Sequence, residues 1–280
     1  MTQNPFSIRA KIAAPYLRGL GAEIGAGVSP QALPPGAICE IYDKRTKAEL
    51  ALLFNVEKSE MPDVYPIEVL QERNPEGVDF LIAHNVLEHI SNPVAQLIKL
   101  NSFVKNGGVA VLSVPHLDYC PDRGRLVPSF EHLLADYLLD RGDYSFESRE
   151  HVYSFVMGWI DDGFARGLNK FDIATLTHEC AKARTNDLHW HAFNGELLKK
   201  LIEAAAIFGR KDISIMARGT PYQDDSEFRT VGDIIYLYRV QDARRNPLTR
   251  DNEVLEEMQK LLGKLREASQ KIDEASMGFL

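Results

Sequence analysis

Glycine and acidic residues near the start of the chain form a pattern that suits a nucleotide-type ligand. The segment GAEIGAGVSP brings Glu23, Gly25 and Gly27 together, and a second segment, AICEIYD, ends in Asp43. Glycines allow backbone N–H groups to approach a ligand closely while the following helix begins. If the two segments are neighbouring strands, Asp43 lies beside the glycine turn and can accept both hydroxyls of a ribose.

Two alternatives for this turn follow from the residues. One is a dinucleotide-binding loop, whose third glycine would fall at position 30, where this chain has Pro30. A helix that opens closely against a pyrophosphate is then harder to build. The other alternative is a tight turn without a ligand. The acidic end of the second segment favours a ligand site.

Histidines in the middle of the chain are candidate bases for taking a proton from an acceptor group. His116 directly follows the apolar segment VAVLSVP, at the point where an open α/β sheet forms its crevice. His132 and Asp136 are four residues apart in a predicted helix, so the carboxylate can orient the ring. We predict these three as catalytic residues; the alternative for each histidine is a hydrogen-bonded structural role.

An anionic acceptor such as a sugar phosphate or a uronate needs cationic or hydrogen-bonding side chains. Arg123 and Arg125, in the segment PDRGRL, can hold such a group. We add His151 to this predicted substrate-binding set. The alternative for the two arginines is that both are only solvated.

A metal site is a further possibility for the later histidines. His189 and His191 in DLHWHAF place both rings on one face of an extended segment, and His151, His178 and Glu179 lie upstream. However, no third ligand stands at a fixed spacing from this pair. We therefore predict that the region binds no metal ion.

The composition excludes several classes of partner and location. The 280 residues include 32 Lys and Arg against 40 Asp and Glu, which gives a net charge of −8 and makes nucleic acid an unfavourable partner. Cys39, Cys120 and Cys180 are far apart and form no CxxC pair, as expected in a reducing cytoplasm. No apolar run approaches the roughly 20 residues that span a bilayer, and the first residues lack the order of a secretory signal.

Short apolar segments alternate with helical patterns over the first half of the chain. Asn92 and Pro93 predict the start of one helix, which Gly107 and Gly108 are expected to end. Strands joined by such helices pair in parallel through right-handed crossovers. The sequence therefore predicts an α/β fold with a mostly parallel sheet and helices on both faces. The predicted strands are 21–24, 37–43, 66–70, 78–85 and 109–115.

The regular alternation of strand and helix patterns stops in the second half of the chain. Residues 117–192 are polar and rich in histidine, and we predict a helical insertion or lid there, with helices at 130–139 and 151–164. A helix at 194–206 and strands at 213–217 and 231–240 then complete a domain that spans residues 1–250.

The C-terminal segment, 251–280, carries a heptad pattern with apolar residues at steps of four and three. It predicts an amphipathic helix that either pairs with its copy in a homodimer or packs on its own domain. The apolar positions are Val254, Met258, Leu261, Leu265, Ala268, Ile272 and Ala275.

Several of these segments together resemble the class I S-adenosylmethionine-dependent methyltransferase family. The resemblance is carried by GAEIGAG, the acidic end of the second strand, VDFLIAHNVLEHI, and KNGG followed by VAVLSVPH, and it covers roughly residues 19–137. The segment NVLEHISNP is the most specific part. The later segment PSFEHLLADY is similar to methyltransferases found with polysaccharide assembly enzymes.

The resemblance implies a Rossmann-like fold with S-adenosylmethionine as cofactor. It implies that the glycine turn and its glutamate surround the methionyl part, that the second-strand aspartate holds the ribose, and that the end of the fourth strand lies near the sulfonium. The residues concerned are Glu23, Gly25, Ala26, Gly27, Asp43, His84 and Asn85.

The function implied by the resemblance is methylation of an oxygen of a sugar, a glycan or a glycan precursor. One alternative is a nicotinamide-dependent Rossmann enzyme, against which Pro30 argues. Another is a catalytically silent, methyltransferase-like module that binds a partner through its C-terminal helix. Cofactor binding distinguishes the first two functions, and turnover distinguishes the first from the third.

Overall fold

A computed structural model describes residues 5–140, 148–161, 188–221, 228–230 and 232–243. Within these ranges the chain forms one eight-stranded sheet with helices packed on it. The predicted C-terminal helix at 251–280 lies outside the described residues, as do His178 and Glu179. The limits of the predicted domain and of the insertion therefore stay predictions.

The sheet has the strand order β3-β2-β1-β4-β5-β8-β6-β7. The first five strands in this order are mutually parallel, whereas β8 runs antiparallel to both β5 and β6. The strands are β1 (Gly19–Ile24), β2 (Ala37–Asp43), β3 (Val64–Pro66), β4 (Val78–His84), β5 (Val104–Pro115), β6 (Lys211–Thr220), β7 (Phe228–Arg229) and β8 (Asp233–Asp242).

Helices cover both faces of this sheet. The described helices are α1 (Pro5–Ala13), α2 (Lys47–Phe54), α3 (Leu70–Arg73), α4 (Pro93–Ser102), α5 (Phe130–Leu138), α6 (Ser148–Asp161) and α7 (Gly195–Phe208). Side chains of β4 alternate between the two faces, because successive residues of a strand point in opposite directions. Leu81 and Ala83 belong to the core formed with α4, α5 and α7, and Phe80 and Ile82 to the core formed with α1. The predicted Rossmann-like α/β class is confirmed.

The start of α4 confirms a prediction, and its end corrects one. The Asn92 side chain accepts a hydrogen bond from the backbone of Ala95 at 3.1 Å, and Pro93 occupies the first turn. The helix ends at Ser102, however, so Gly107 and Gly108 do not terminate it; both lie inside β5, where the pairing with β4 is irregular. Glycines suit such a bulge because Gly107 has a φ of +86°.

The third predicted strand is also corrected. Only Val64–Pro66 pairs with β2, and the chain then turns through Ile67–Val69 into α3. Ile67 and Leu70 are three residues apart, a spacing that places both on one side of a helical turn, and both contact the core beside α4. A short apolar run does not distinguish a strand from a buried helical turn.

The later elements follow the predicted order. The predicted strands at 213–217 and 231–240 correspond to β6 and β8, and the predicted helix at 194–206 corresponds to α7. In the predicted insertion, α5 and α6 confirm a helical character for its described part. Among the described residues, no helix is both long and apolar enough to cross a membrane.

A close contact between β1 and β4 provides a test of this sheet. A Cβ atom at Gly21 would lie 2.0 Å from the Phe80 ring, which is fully buried and cannot move aside. We expect Gly21→Ala to lower the free energy of unfolding by about 1–3 kcal/mol in urea titrations. Gly195→Ala is the control, because a Cβ atom there has no neighbour within 4 Å. Equal stability of the two variants would contradict the described register.

Candidate functional site

The carboxyl ends of the parallel strands meet at one edge of the sheet, where crevices form in open α/β folds. Glu23 lies near the end of β1, Asp43 ends β2, His84 ends β4 and His116 directly follows β5. The edge therefore brings together residues that are far apart in the sequence. These are the residues that the sequence analysis selected for cofactor binding and, in the case of His116, for catalysis.

The glycine turn after β1 has a backbone that only small residues adopt easily. Gly25 and Gly27 have φ values of +67° and +57°, and the Gly25 N–H donates to the Tyr42 carbonyl at 2.8 Å, which fixes the turn against β2. The expected helix after the turn does not form. Residues 25–36, all of them described, run as turns and irregular backbone to β2. Pro30 and Pro34 explain this, since proline disfavours helix at the residue before it.

Glu23 is a buried carboxylate beside this turn. Its side chain accepts hydrogen bonds from the Gln31 backbone N–H at 3.1 and 3.0 Å, and only 2% of the residue is exposed. Burial raises the pKa of Glu23 to about 7, although the Gln31 hydrogen bond and the charge of Arg9 act in the opposite direction. A cationic ligand would supply the partner that the ionised carboxylate needs.

Gln31 connects Glu23 to the end of β4. Its Oε1 atom lies 2.6 Å from Nε2 of His84, and Nδ1 of His84 lies 2.8 Å from Oγ of Ser113. Burial lowers the pKa of His84 well below its usual value, so the ring is neutral. Both of its nitrogens have protein partners, which makes His84 a positioning residue for Gln31. Asn85 is exposed at the same edge, with a φ of +54°.

Gln31 was missed in the sequence analysis. No motif marks a glutamine in an irregular segment, and only the fold shows that it lies between β1 and β4. Its Nε2 atom is buried and has no hydrogen-bond partner in the described structure. An unsatisfied buried donor at this position is available to a ligand.

Asp43 lies where the sequence places it, beside the glycine turn. Its Oδ1 atom accepts a hydrogen bond from the Arg45 backbone N–H at 2.8 Å, and the preceding Tyr42 carbonyl is the partner of Gly25. Glu23, Ala26 and Asp43 thus belong to one small region of the edge. It offers carboxylates and backbone groups to a ligand.

His132 and Asp136 contact each other, as predicted, but not as an isolated pair. Nε2 of His132 lies 3.4 Å from Oδ2 of Asp136, and the same oxygen lies 3.2 Å from Nε2 of His191 and 3.7 Å from Nε2 of His151. We call these four residues the histidine cluster. Burial by itself raises the pKa of Asp136, but the His191 hydrogen bond and the charges of the histidines hold it below its usual value. The Asp136 carboxylate therefore contacts three histidines and does not orient His132 alone.

His151, which we predicted to bind substrate, is buried in the structure, and its role in substrate binding stays a prediction. Only 8% of His151 is exposed, and its Nδ1 atom donates to the Trp190 carbonyl at 3.0 Å. Burial, followed by repulsion from His191, lowers the pKa of His151 to about 4. The neutral ring is part of the histidine cluster and does not face an acceptor from solvent.

Arg125, which we predicted to bind an anionic acceptor, directs its guanidinium at groups of the protein. Its guanidinium donates to Oδ1 of Asp122 at 2.8 Å, to the His189 carbonyl at 2.6 Å and to the Trp190 carbonyl at 3.0 Å. A fourth hydrogen bond reaches Oγ of Ser154 in α6 at 3.1 Å. These partners use most of its five donors. Arg123, two residues earlier, is exposed.

His116 is mostly buried, and only 6% of the residue is exposed. Its Nδ1 atom accepts a hydrogen bond from the Asp118 backbone N–H at 3.2 Å and caps the turn after β5. Burial lowers the pKa of His116. The residue also lines a cavity of about 380 Å³ together with Glu196, Arg218 and Tyr236. Because Nδ1 is used in the cap, only Nε2 of His116 is left to act in its predicted role as a base.

Comparisons with known proteins add the following. No protein-family model matches the chain, and no curated protein sequence matches it. Among solved structures, the chain is similar to a possible histamine N-methyltransferase from Thermotoga maritima, titled as S-adenosylmethionine-dependent, with 14% identity over 85% of this chain and 89% of that chain at a TM-score of 0.42.

Two further solved structures have titles from different enzyme classes. An S-adenosylmethionine-dependent methyltransferase from Clostridium acetobutylicum is 9% identical over 85% of this chain and 90% of that one, with a TM-score of 0.43. A putative zinc-dependent alcohol dehydrogenase from Rhodobacter sphaeroides is 12% identical over 86% of this chain and 90% of that one, with a TM-score of 0.48. All three TM-scores lie below 0.5, so the function is argued from this chain's own residues.

The structural role of Arg125 can be tested by removing its charge. Arg125→Met leaves the carboxylate of Asp122 buried without its cationic partner, which typically costs about 3–5 kcal/mol of stability. We expect a loss of this order in urea titrations, whereas the control Arg123→Met should stay within about 0.5 kcal/mol of the wild type because Arg123 is exposed. A full-stability Arg125→Met protein would restore the anion-binding interpretation.

Proposed function

We propose that the chain is an S-adenosylmethionine-dependent methyltransferase whose cofactor site is formed by Glu23, the glycine turn and Asp43. The observation that carries the proposal is the buried Glu23 carboxylate, which lies beside a glycine turn and near the acidic end of β2. A carboxylate in this position favours a ligand with a positive charge.

The residues present fit the chemical groups of this cofactor. Glu23 would pair with its ammonium group, and Asp43 would accept the hydroxyls of its ribose. The buried Nε2 atom of Gln31, which lacks a partner in the described structure, supplies a further donor. When bound, S-adenosylmethionine supplies an electrophilic methyl group on a positively charged sulfur.

The local backbone argues against the nicotinamide alternative. A dinucleotide places its pyrophosphate at the N-terminus of the helix that follows the first strand, where the helix dipole and free N–H groups stabilise the negative charge. In this chain no helix forms in residues 25–36, and the nearest ionisable group in the turn region is the carboxylate of Glu23. Both features disfavour a pyrophosphate.

For the acceptor we propose an oxygen of a sugar, a glycan or a glycan precursor. The support is the similarity of PSFEHLLADY to methyltransferases of polysaccharide assembly; in the structure this segment forms the cap at Ser129 and most of α5. The chain's own residues must align the acceptor hydroxyl and take its proton. Cys39 and Cys120, the cysteines among the described residues, form no disulfide, which fits the cytoplasmic location that we propose with this function.

Calorimetric binding of S-adenosylmethionine tests the cofactor site. Asp43→Ala removes the acceptor of two charge-assisted hydrogen bonds, each worth about 1.5–3 kcal/mol, so we expect affinity to fall at least tenfold. Glu76→Ala is a matched control, because this exposed carboxylate precedes β4 at the opposite edge of the sheet.

Unchanged affinity in Asp43→Ala would contradict the assignment. Binding of NAD by the wild type in place of S-adenosylmethionine would favour the dehydrogenase alternative. Binding of S-adenosylmethionine without formation of S-adenosylhomocysteine on a panel of nucleoside-diphosphate sugars and glycans would favour the silent module.

The raised pKa of Glu23 predicts a pH dependence of cofactor affinity. With a pKa of about 7, the carboxylate is mostly ionised at pH 8 and mostly protonated at pH 6. Only the ionised form attracts the ammonium group, so the ratio of wild-type affinity to that of Glu23→Gln should fall about tenfold from pH 8 to pH 6. Using this ratio cancels the titration of the cofactor itself. A ratio that is constant with pH would show that Glu23 does not contact the charged group.

A further inference from the structure

We propose that the histidine cluster, His132, Asp136, His151 and His191, binds one divalent transition-metal ion of the zinc class. The proposal is independent of methyl transfer and opposes our sequence-based prediction that this region binds no metal. In the described residues, one ligand atom from each of the four lies within 4.8 Å of the others. Three imidazoles and one carboxylate are a ligand set that zinc and similar ions prefer.

The distances within the cluster fit a tetrahedral ion. Zinc bonds to histidine nitrogen and carboxylate oxygen are about 2.0–2.2 Å long, so two ligand atoms of a tetrahedron lie about 3.3–3.5 Å apart. The three nitrogen-to-oxygen distances around Oδ2 of Asp136 are 3.2, 3.4 and 3.7 Å. Three of the six edges of a coordination tetrahedron are thus close to their expected length, and no two of the four ligand atoms are more than 4.8 Å apart.

The proton on His151 gives an independent argument. The Trp190 carbonyl can only accept a hydrogen bond, so Nδ1 of His151 carries the proton that joins them at 3.0 Å. In the neutral ring, Nε2 then has a lone pair, and Nε2 lies 3.7 Å from Oδ2 of the Asp136 carboxylate. A cation between these two electron-rich atoms, whether a metal ion or a proton on Nε2, removes their repulsion. Histidine ligands of metals characteristically donate their other N–H to a backbone carbonyl in this way.

Burial strengthens the case for a bound cation. The side chains of Asp136 and His191 are fully buried, so an ion bound between them is shielded from competing water. Burying a carboxylate is costly unless it is paired.

The ion would connect parts of the chain that are distant in sequence. His132 and Asp136 belong to α5, His151 to α6, and His191 to the segment 188–193. That segment reaches the sheet edge, because the Trp190 N–H donates to the Glu88 carbonyl at 2.6 Å just after β4. His132, with 26% of its side chain exposed, is the ligand through which an ion could enter and leave.

The test uses the full chain, purified without a histidine tag, and zinc and cobalt as probes. Elemental analysis of the isolated protein should find about one equivalent of a transition metal. After removal by a chelator, Zn²⁺ should raise the melting temperature, and Co²⁺ should give a visible absorption spectrum typical of tetrahedral coordination. A metal-free protein that neither binds Zn²⁺ nor gains thermal stability from it would overturn the proposal.

Two variants locate the ion. His132 is the most exposed of the four ligands, so the His132→Ala variant should fold like the wild type by circular dichroism. Its affinity for Zn²⁺ should fall more than about 100-fold, because changing a residue that only hydrogen-bonds to a ligand already lowers metal affinity about 10–100-fold. Asp136→Asn should likewise lose the cobalt spectrum. His89→Ala is the control, because His89 belongs to a different group, with Glu88 and His189. Wild-type zinc affinity in His132→Ala, or loss of binding only in His89→Ala, would exclude the histidine cluster as the site.

Discussion

Parallel pairing of β1 with β2 on one side and β4 on the other is the constraint on which the candidate cofactor site depends. Because all three strands run in the same direction, their carboxyl ends meet, and side chains separated by up to 61 positions in sequence become neighbours. Helices on both faces keep this edge in place by burying the last residues of β1 and β2 and most of β4. The edge itself is where polar residues accumulate, since the apolar cores lie on the faces of the sheet and not at its end.

The irregular segment between β1 and β2 then determines which ligands suit this edge. A helix there would present N–H groups and a partial positive charge, which favour phosphate. The proline-containing segment instead returns Gln31 to the edge, where its backbone N–H binds Glu23 and its side chain meets His84. Each of these contacts depends on the others, because the neutral, buried ring of His84 holds the glutamine that in turn holds the glutamate. The result is a site with negative rather than positive character.

Local signals were sufficient to predict the elements but not the contacts between them. The apolar runs of β1, β2 and β4 and the Asn92–Pro93 helix start are properties of a few adjacent residues, and all of them are present in the structure. The predicted end of that helix at Gly107 and Gly108 was wrong because glycine occurs both at helix ends and in β-bulges. The partners of Arg125 could not be predicted for another reason: Asp122, Ser154 and the 189–190 backbone meet only once the chain has folded. In the same way, 55 residues separate Asp136 from His191, and no spacing rule connects them.

The segment 188–193 combines apolar burial with polar interactions: Leu188, Trp190, Ala192 and Phe193 are buried, and the backbone of the segment accepts hydrogen bonds from neighbouring elements. The Trp190 carbonyl accepts from both Arg125 and His151, so one backbone group joins an ion pair with Asp122 to the histidine cluster. Two buried carboxylates, Asp122 and Asp136, are therefore linked through the same peptide, one by way of Arg125 and the other by way of His151. Asp122 forms an ion pair with the guanidinium of Arg125, whereas Asp136 contacts the imidazoles of the histidine cluster, in which burial lowers the pKa of His151 and of His191. Since the Trp190 N–H also donates to the Glu88 carbonyl, these polar contacts join the segment 188–193 to the edge that carries Glu23 and Asp43.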